Sequence, residues 1–387
     1  MIKKLYTKKE IFLLLIFVLL ISLFLSSLFL NGWKASWYFV YVPSAEPIFA
    51  DMRFIQGALK SESLGSNPYI NNPGDPWGRA LNYPAIWIDI AKIFNLENEK
   101  FFLMFNLSMV SIYLLICLIL LLKAKSFLFL FIIFSSSSLL GIERGNNDLI
   151  VFSIIYFSLY LLPLYSFFFI SLASFLKIYP LALILTFLEN KKILFFFVII
   201  GIFTIYLNIE EFKYIILNTP KSAGLSYGSS TISKGFSKLL GINIKDYFIS
   251  VILILIIISF YLIFKDRIKT NFEKIDEKII TSFLYGGLIY VGTFLLSKNF
   301  DYRLIFLILC YEFIFLININ KLRIFLIFCM IISFNYVLLI SVFGVTLGAL
   351  LCLIAKVVLL IFISYYIIMI LKVRNAFINK FLNYLHN

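Results

Sequence analysis

Apolar residues come in runs of membrane length over nearly the whole chain, separated by short charged or Pro/Gly-containing breaks. Continuous runs of roughly 20 residues predict transmembrane helices instead of half-buried strands or amphipathic surface helices. They fall at residues 11–30, 101–122, 127–142, 149–164, 193–208, 248–264, 279–297, 303–318, 323–343 and 346–371. The first follows Lys3, Lys4, Lys8 and Lys9 and is closed by no small-residue cleavage site, so it reads as a retained helix and not a signal peptide. The expected architecture is an all-α polytopic membrane protein, a single membrane-embedded domain over 1–387 with about ten full transmembrane helices.

One stretch, 167–189, breaks the pattern because Lys177-Ile178-Tyr179-Pro180 interrupts it near the middle. Pro180 removes a helical donor, and a lysine at membrane depth needs a partner or water. Two readings remain: a broken, re-entrant hairpin, or one kinked helix with a snorkelling lysine. Charge favours the hairpin, because it puts Lys123 and Lys125, Lys191 and Lys192, the loop 265–278, Lys321 and Arg323, and the tail 372–387 all on the cytoplasmic side. Both termini are then cytoplasmic. The polar segments 31–100, 143–148, 177–180, 209–247 and 297–303 face the other way, the first and fourth as the two larger extracytoplasmic loops.

Composition agrees with a membrane protein. The 387 residues are 62% hydrophobic and 14% charged, with a mean hydropathy of +1.00, far from a soluble globular chain. The net charge of +14 is concentrated in short clusters between apolar runs, as the positive-inside rule requires, and gives no reason to expect nucleic acid. Four cysteines sit inside apolar runs and the lone histidine, His386, lies in the tail. Neither a disulfide framework nor a His/Cys metal site is expected.

Against this background the outer polar segments stand out. Asp51 precedes Phe54, Ile55, Ala58 and Leu59, whose helical spacing predicts an amphipathic helix lying along the membrane surface. Asp51 there is either an N-cap or a functional carboxylate. A turn-rich stretch follows, with Asn67-Pro68-Tyr69 and Asn82-Tyr83-Pro84, and with Trp77, Tyr83 and Trp87 as interfacial or sugar-stacking aromatics. Glu143-Arg144-Gly145-Asn146-Asn147-Asp148 is longer than a turn requires, and helix capping from Leu149 onward explains only one residue of it. Asp301 and Arg303 are either a simple interfacial pair or part of a site.

An outward-facing carboxylate with cations and amides where lipid meets water suits glycosyl transfer from a lipid-linked donor. The carboxylate deprotonates a sugar hydroxyl, and cations hold the donor's phosphate as it leaves. On that reading Asp51 is the base. Lys177, Arg303 and Arg144 bind phosphate, and Glu143, Asn146, Asn147, Asp148, Tyr83, Tyr179 and Asp301 shape the sugar and acceptor sites. A lipid monophosphate donor needs no divalent cation, because these basic groups take its charge, although carboxylates such as Asp51, Glu143, Asp148 and Asp301 are oxygen ligands in kind.

In this order the motifs, from Asp51 through Asn67-Pro68-Tyr69, Asn82-Tyr83-Pro84, Glu143 to Asp148 and Lys177 to Pro180 to Asp301-Tyr302-Arg303, resemble glycosyltransferase family 87. The resemblance covers about residues 45–310. It implies a C-type membrane glycosyltransferase: many transmembrane helices with re-entrant elements, Asp51 as acceptor-activating aspartate, and a polyprenyl-phosphate sugar, mannose by the family's pattern, as donor. The product is a glycan or glycolipid made on the extracytoplasmic face of the cell membrane, with no other cofactor. Tyr83-Pro84-Ala85 departs from the usual Tyr-Pro-Pro. Two other readings share these residues: a lipid or polysaccharide flippase, and a polymerase or ligase using a lipid diphosphate.

Overall fold

The computed structural model describes residues 7–188, 190–207, 209–219, 224–267, 275–296 and 298–374. Residues 375–387 of the expected tail, with His386, and parts of the expected loops 209–247, 265–278 and 297–303 lie outside the described residues. The chain forms two compact units, Met1–Ser153 with Ile209–Thr219, and Ile154–Asn208 with Pro220–Asn387.

In the first unit the helix Lys8–Phe39 begins with a capping box, in which Thr7 and Glu10 each bond the other's backbone N–H. Its side chains are apolar all round and mostly exposed, as a lipid-facing helix requires. Glu99–Ala124 matches the expected 101–122, with Asn98 accepting from the Lys100 amide at 2.9 Å as its N-cap. The expected span 127–142 is instead a bent pair, Phe127–Ile133 and Ser136–Arg144, meeting at 42°. Serines make the break affordable: Ser135 caps the second piece, and the Ser138 hydroxyl takes the Ile132 carbonyl at 2.9 Å.

The predicted helix after Asp51 is present as Ala50–Ser63. It does not lie bare on a surface, because residues Met52 to Leu59 are all buried, by the turn-rich stretch that follows and, at Arg53 and Gln56, by Glu99, Phe102 and Leu96. Two glycines allow that covering. A Cβ on Gly57 would lie 2.5 Å from the Asp75 amide nitrogen, and one on Gly74 would lie 2.3 Å from the Gly57 carbonyl. Ser61 and Asn72 close the crossing, the hydroxyl donating to the amide oxygen at 2.8 Å. Trp87, expected at an interface, is 1% exposed and belongs to the core of this unit.

The expected span 149–164 is shorter, ending as the helix Asp148–Ser158. Leu162, held extended before Pro163, cannot continue it, and Pro163 opens a new helix, Pro163–Leu176. In the second unit the chain becomes extended at Lys177 and returns as a 3₁₀ helix, Tyr179–Phe187. Phe187 comes back against Phe167 with ring centroids 6.3 Å apart, and Phe197 of the next helix, Lys191–Leu207, packs on both.

Asp246–Phe264, Glu277–Leu296 and Val345–Arg374 coincide with expected spans. Two others differ. Where 303–318 predicts an α-helix there is a buried 3₁₀ helix, Asp301–Cys310, followed by the short helix Tyr311–Phe315. A run of ten 3₁₀ residues is unusual, and tertiary packing holds it: the Phe306 carbonyl sits only 2.4 Å from where a Cβ on Gly286 would be. The stretch 323–343 turns by 85° at Asn335, between Asn320–Phe334 and Tyr336–Phe343. The second piece then folds back on Val345–Arg374, where Gly348 lets the two backbones touch.

Among the described residues five helices are long and apolar enough to cross a membrane, or seven if each bent pair is one span. A two-stranded antiparallel ribbon, Ser226–Tyr227 with Asn299–Phe300, sits in the otherwise helical second unit.

Candidate functional site

Asp51 stands in the first turn of Ala50–Ser63 but does not cap it. The capping position belongs to Phe49, in the left-handed region at φ 60°, with no side-chain hydrogen bond. Asp51 is half-buried, and its Oδ2 accepts a hydrogen bond from Asn146 Nδ2 at 2.6 Å. Asn146 is placed by the end of Ser136–Arg144. The amide of Asn146 bonds the Gly141 carbonyl at 2.9 Å, and that of Gly145 bonds Ile142 at 3.0 Å, a Schellman ending with Gly145 at φ 58°. Any side chain there would strike Asn106 Oδ1 at 2.5 Å and Phe49 Cβ at 2.8 Å. The other face of the same amide does the capping that the sequence foresaw, Asn146 Oδ1 accepting from the Asp148 amide at 2.8 Å. One side chain thus starts a helix and orients the carboxylate.

Glu143 and Arg144 hold the segment that leads into Asp51. Glu143 is fully buried; its Oε1 accepts from the Ala45 amide at 2.8 Å and its Oε2 lies 3.0 Å from Arg144 Nε. Arg144 Nη2 reaches the Pro43 carbonyl at 3.4 Å. Both side chains are therefore engaged with the loop backbone and with each other. Asp148 is buried, and so is Asn147, whose side-chain amide has no hydrogen-bond partner among the described residues.

Arg79, which the sequence reading passed over, stands beside Asp51. Its Nε and Nη2 grip both oxygens of buried Asp75 at 3.0 and 2.7 Å, and Nη2 also donates to the Ala50 carbonyl at 2.8 Å. The guanidinium lies over the rings of Phe54 and Trp77, 4.8 and 4.5 Å from their centroids. The carboxylate of Asp51 and the phenol of Tyr83 are within electrostatic reach of it. A signal existed in the sequence: Asp75 and Arg79 four residues apart around Pro76 and Gly78 make a self-contained ion-paired turn.

Tyr83 packs edge-on against Phe54 at 5.7 Å, and its carbonyl accepts from the Tyr69 hydroxyl at 2.9 Å. The helix Ile209–Asn218 secures this segment through polar contacts. Glu211 Oε2 accepts from the Ala85 amide at 3.0 Å and from Tyr69 at 3.2 Å, while Asn218 Nδ2 donates to the Tyr69 and Leu81 carbonyls at 2.9 Å each. Burial, and after it the nearby Glu211 charge, pushes the Tyr69 phenol far above its ordinary value, so it stays a donor.

In the second unit the predicted residues form another arrangement. Lys177 is buried at the break that follows Pro163–Leu176. Tyr179, just beyond it, carries the Arg303 guanidinium over its ring at 4.6 Å, and Arg303 Nη1 also bonds the Asn299 side-chain oxygen. Asp301 does not pair with Arg303. Its Oδ1 meets Lys356 Nζ at 2.7 Å, with the two side chains 0% and 2% exposed. Lys356, within the expected span 346–371, is a second residue missed, although a lone lysine in an apolar helix is itself a signal. Asp301 Oδ2 has no hydrogen-bond partner among the described residues. The Asp301 amide donates to the Leu225 carbonyl at 2.8 Å, and Lys356 Nζ approaches the Ser226 carbonyl at 3.4 Å, so the pair locks the ribbon to the longest helix of this unit.

Among the described residues no three or more His, Cys, Asp or Glu side chains converge as metal ligands would. These long apolar helices define a multi-pass α-helical membrane protein. Comparison of the chain with family models, curated proteins and solved structures finds no match.

Proposed function

We propose that the protein is a membrane glycosyltransferase that moves a hexose, mannose by the family resemblance, from a polyprenyl-phosphate donor to a glycan or glycolipid acceptor on the extracytoplasmic face. The observation that carries this reading is Asp51. It is a half-buried carboxylate relieved of capping duty, with one oxygen oriented by Asn146. A group so held suits a general base, which must meet its proton at hydrogen-bond distance in a fixed direction. In the proposed step Asp51 takes the proton of the acceptor hydroxyl, the acceptor oxygen bonds to the sugar's anomeric carbon, and the bond from that carbon to the phosphate breaks. Polyprenyl phosphate leaves with the electron pair.

Glu143 and Arg144 act in this reading as positioning residues for the loop 43–45. The break at Lys177 belongs to the re-entrant hairpin of the C-type architecture. The lipid's charge is met by protein cations, so transfer is expected to survive a chelator; complete loss in EDTA would overturn that point.

Purified protein supplied with a panel of polyprenyl-phosphate sugars, with acceptor products read by mass, tests the proposal. The variant Asp51→Asn is expected to lose about 10²–10⁴-fold in turnover while remaining folded and inserted. Full activity in that variant sinks the assignment. A transporter is the second reading, favoured by the charges of Asp301 and Lys356 buried among apolar helices. It predicts movement of labelled lipid across vesicles with no sugar consumed.

A further inference from the structure

Arg79 is only partly used by the loop that it holds. Asp75 occupies one edge of its guanidinium side-on, through Nε and Nη2, and the remaining Nη2 hydrogen goes to the Ala50 carbonyl. Nη1 has no hydrogen-bond partner among the described residues, and the side chain is 37% exposed while Asp75 is 0%. Phe54 and Trp77 hold the plane of the group. The outcome is a guanidinium fixed along its inner edge by Nε and Nη2, with the two N–H groups of Nη1 uncommitted. The two Nη1 N–H groups diverge and so make single charge-assisted bonds instead of a side-by-side pair, but a cationic donor held beforehand loses less entropy on binding a phosphate oxygen. The carbonyl taken by Nη2 belongs to Ala50, the residue just before Asp51, so the guanidinium is anchored to the same helical turn as the candidate base.

We infer that Arg79 is the phosphate ligand beside Asp51, its free Nη1 edge holding the phosphate of the lipid-linked sugar donor and the polyprenyl phosphate that leaves. This rests on the transferase reading above. Arg53 is buried against Glu99 and Gln56, and Arg144, committed through Nε and Nη2 to Glu143 and Pro43, is less exposed than Arg79, at 26%.

Two measurements on the full-length protein test it. In the first, wild type is labelled with phenylglyoxal and arginine modification is read by peptide mass, with and without polyprenyl phosphate. Arg79 is expected to be modified and then protected by the lipid, while buried Arg53 stays unmodified throughout. Labelling of Arg79 that is unchanged by saturating lipid overturns the inference, and equal protection by inorganic phosphate at the same concentration removes the lipid-linked donor from it.

In the second, Arg79→Lys retains a cation for Asp75 but has no second nitrogen to hold an anion while the first holds Asp75. Its inhibition by polyprenyl phosphate is expected to weaken about tenfold or more, with KM for the donor rising in parallel. Asp51→Asn is expected to bind polyprenyl phosphate as wild type does while losing turnover. If Arg79→Lys is inhibited like wild type while Asp51→Asn is inactive, the role of Arg79 falls and the transferase reading stands. If wild type transfers from no donor yet Arg79 is still protected by the lipid, the phosphate site stands and the transferase reading falls.

Discussion

Each unit sets an acid against a base, and the two pairs are built for different ends. Asp301 and Lys356 are closed off on every side, at 0% and 2% exposure, and tie a ribbon to a long helix. Asp75 and Arg79 are closed only on the acid's side, with the arginine side chain 37% exposed and its Nη1 uncommitted. A fully buried pair must recover its desolvation through its own geometry, so it serves to hold two elements in one arrangement. A half-open pair leaves charge over for a ligand. Asymmetry of burial, more than the mere presence of opposite charges, separates the structural pair from the candidate site.

The sharpest way to break this comparison is to strip one partner from the closed pair. Lys356→Met leaves Asp301 as a buried, uncompensated charge and is expected to cost about 3–5 kcal/mol, read as a fall in unfolding midpoint in detergent. The double variant Lys356→Met with Asp301→Leu is expected to recover most of that; no recovery would mean that the pair does more than hold the ribbon.

Asp75→Ala should cost less, about 1–3 kcal/mol, although its carboxylate also accepts from the Trp77 and Arg79 amides at 3.1 and 2.9 Å. Its partner can still reach water. A loss as large as that of Lys356→Met would erase the distinction drawn between the two pairs.

Gly145→Ala tests the support of Asp51 from below. The left-handed backbone and the contact with Asn106 and Phe49 together predict about 1–3 kcal/mol of destabilisation and a fall in turnover as Asn146 shifts. Unchanged turnover would show that the Asn146 bond to Asp51 is dispensable. At the small end, Lys92→Ala removes an exposed partner of Glu62 and should change neither stability nor activity measurably.

Much of the scaffold is legible in the sequence because the signals are local. The spans 11–30, 101–122, 248–264, 279–297 and 346–371 are long apolar runs, and each lies within or nearly coincides with one helix. The helix after Asp51 shows in the spacing of Phe54, Ile55, Ala58 and Leu59. Lys177 and Pro180 announce the break that lets Phe187 return to Phe167. The failures share a physical cause. The bend at Asn335 depends on Tyr336–Phe343 packing against Val345–Arg374, and the 3₁₀ helix Asp301–Cys310 on its close contact with Gly286. Val345–Arg374 is the next helix in the chain and Gly286 lies in the helix before, but which faces meet is settled only when they pack.

Asp51 illustrates where local reading stops. Its position predicts a helix cap, and only the fold shows Phe49 in that place and the carboxylate turned to Asn146, 95 residues away along the chain. By itself the sequence determined a membrane protein of apolar helices, with acids, amides and cations gathered in the segments between them, because hydrophobic run length and backbone hydrogen bonding are set residue by residue. Tertiary structure alone decided which charges close on each other and which keep an edge open, pairing Asp301 with Lys356 and leaving Arg79 half committed beside Asp51. Desolvation is the reason: the cost of burying a charge depends on everything packed around it, and no stretch of neighbours in sequence specifies that.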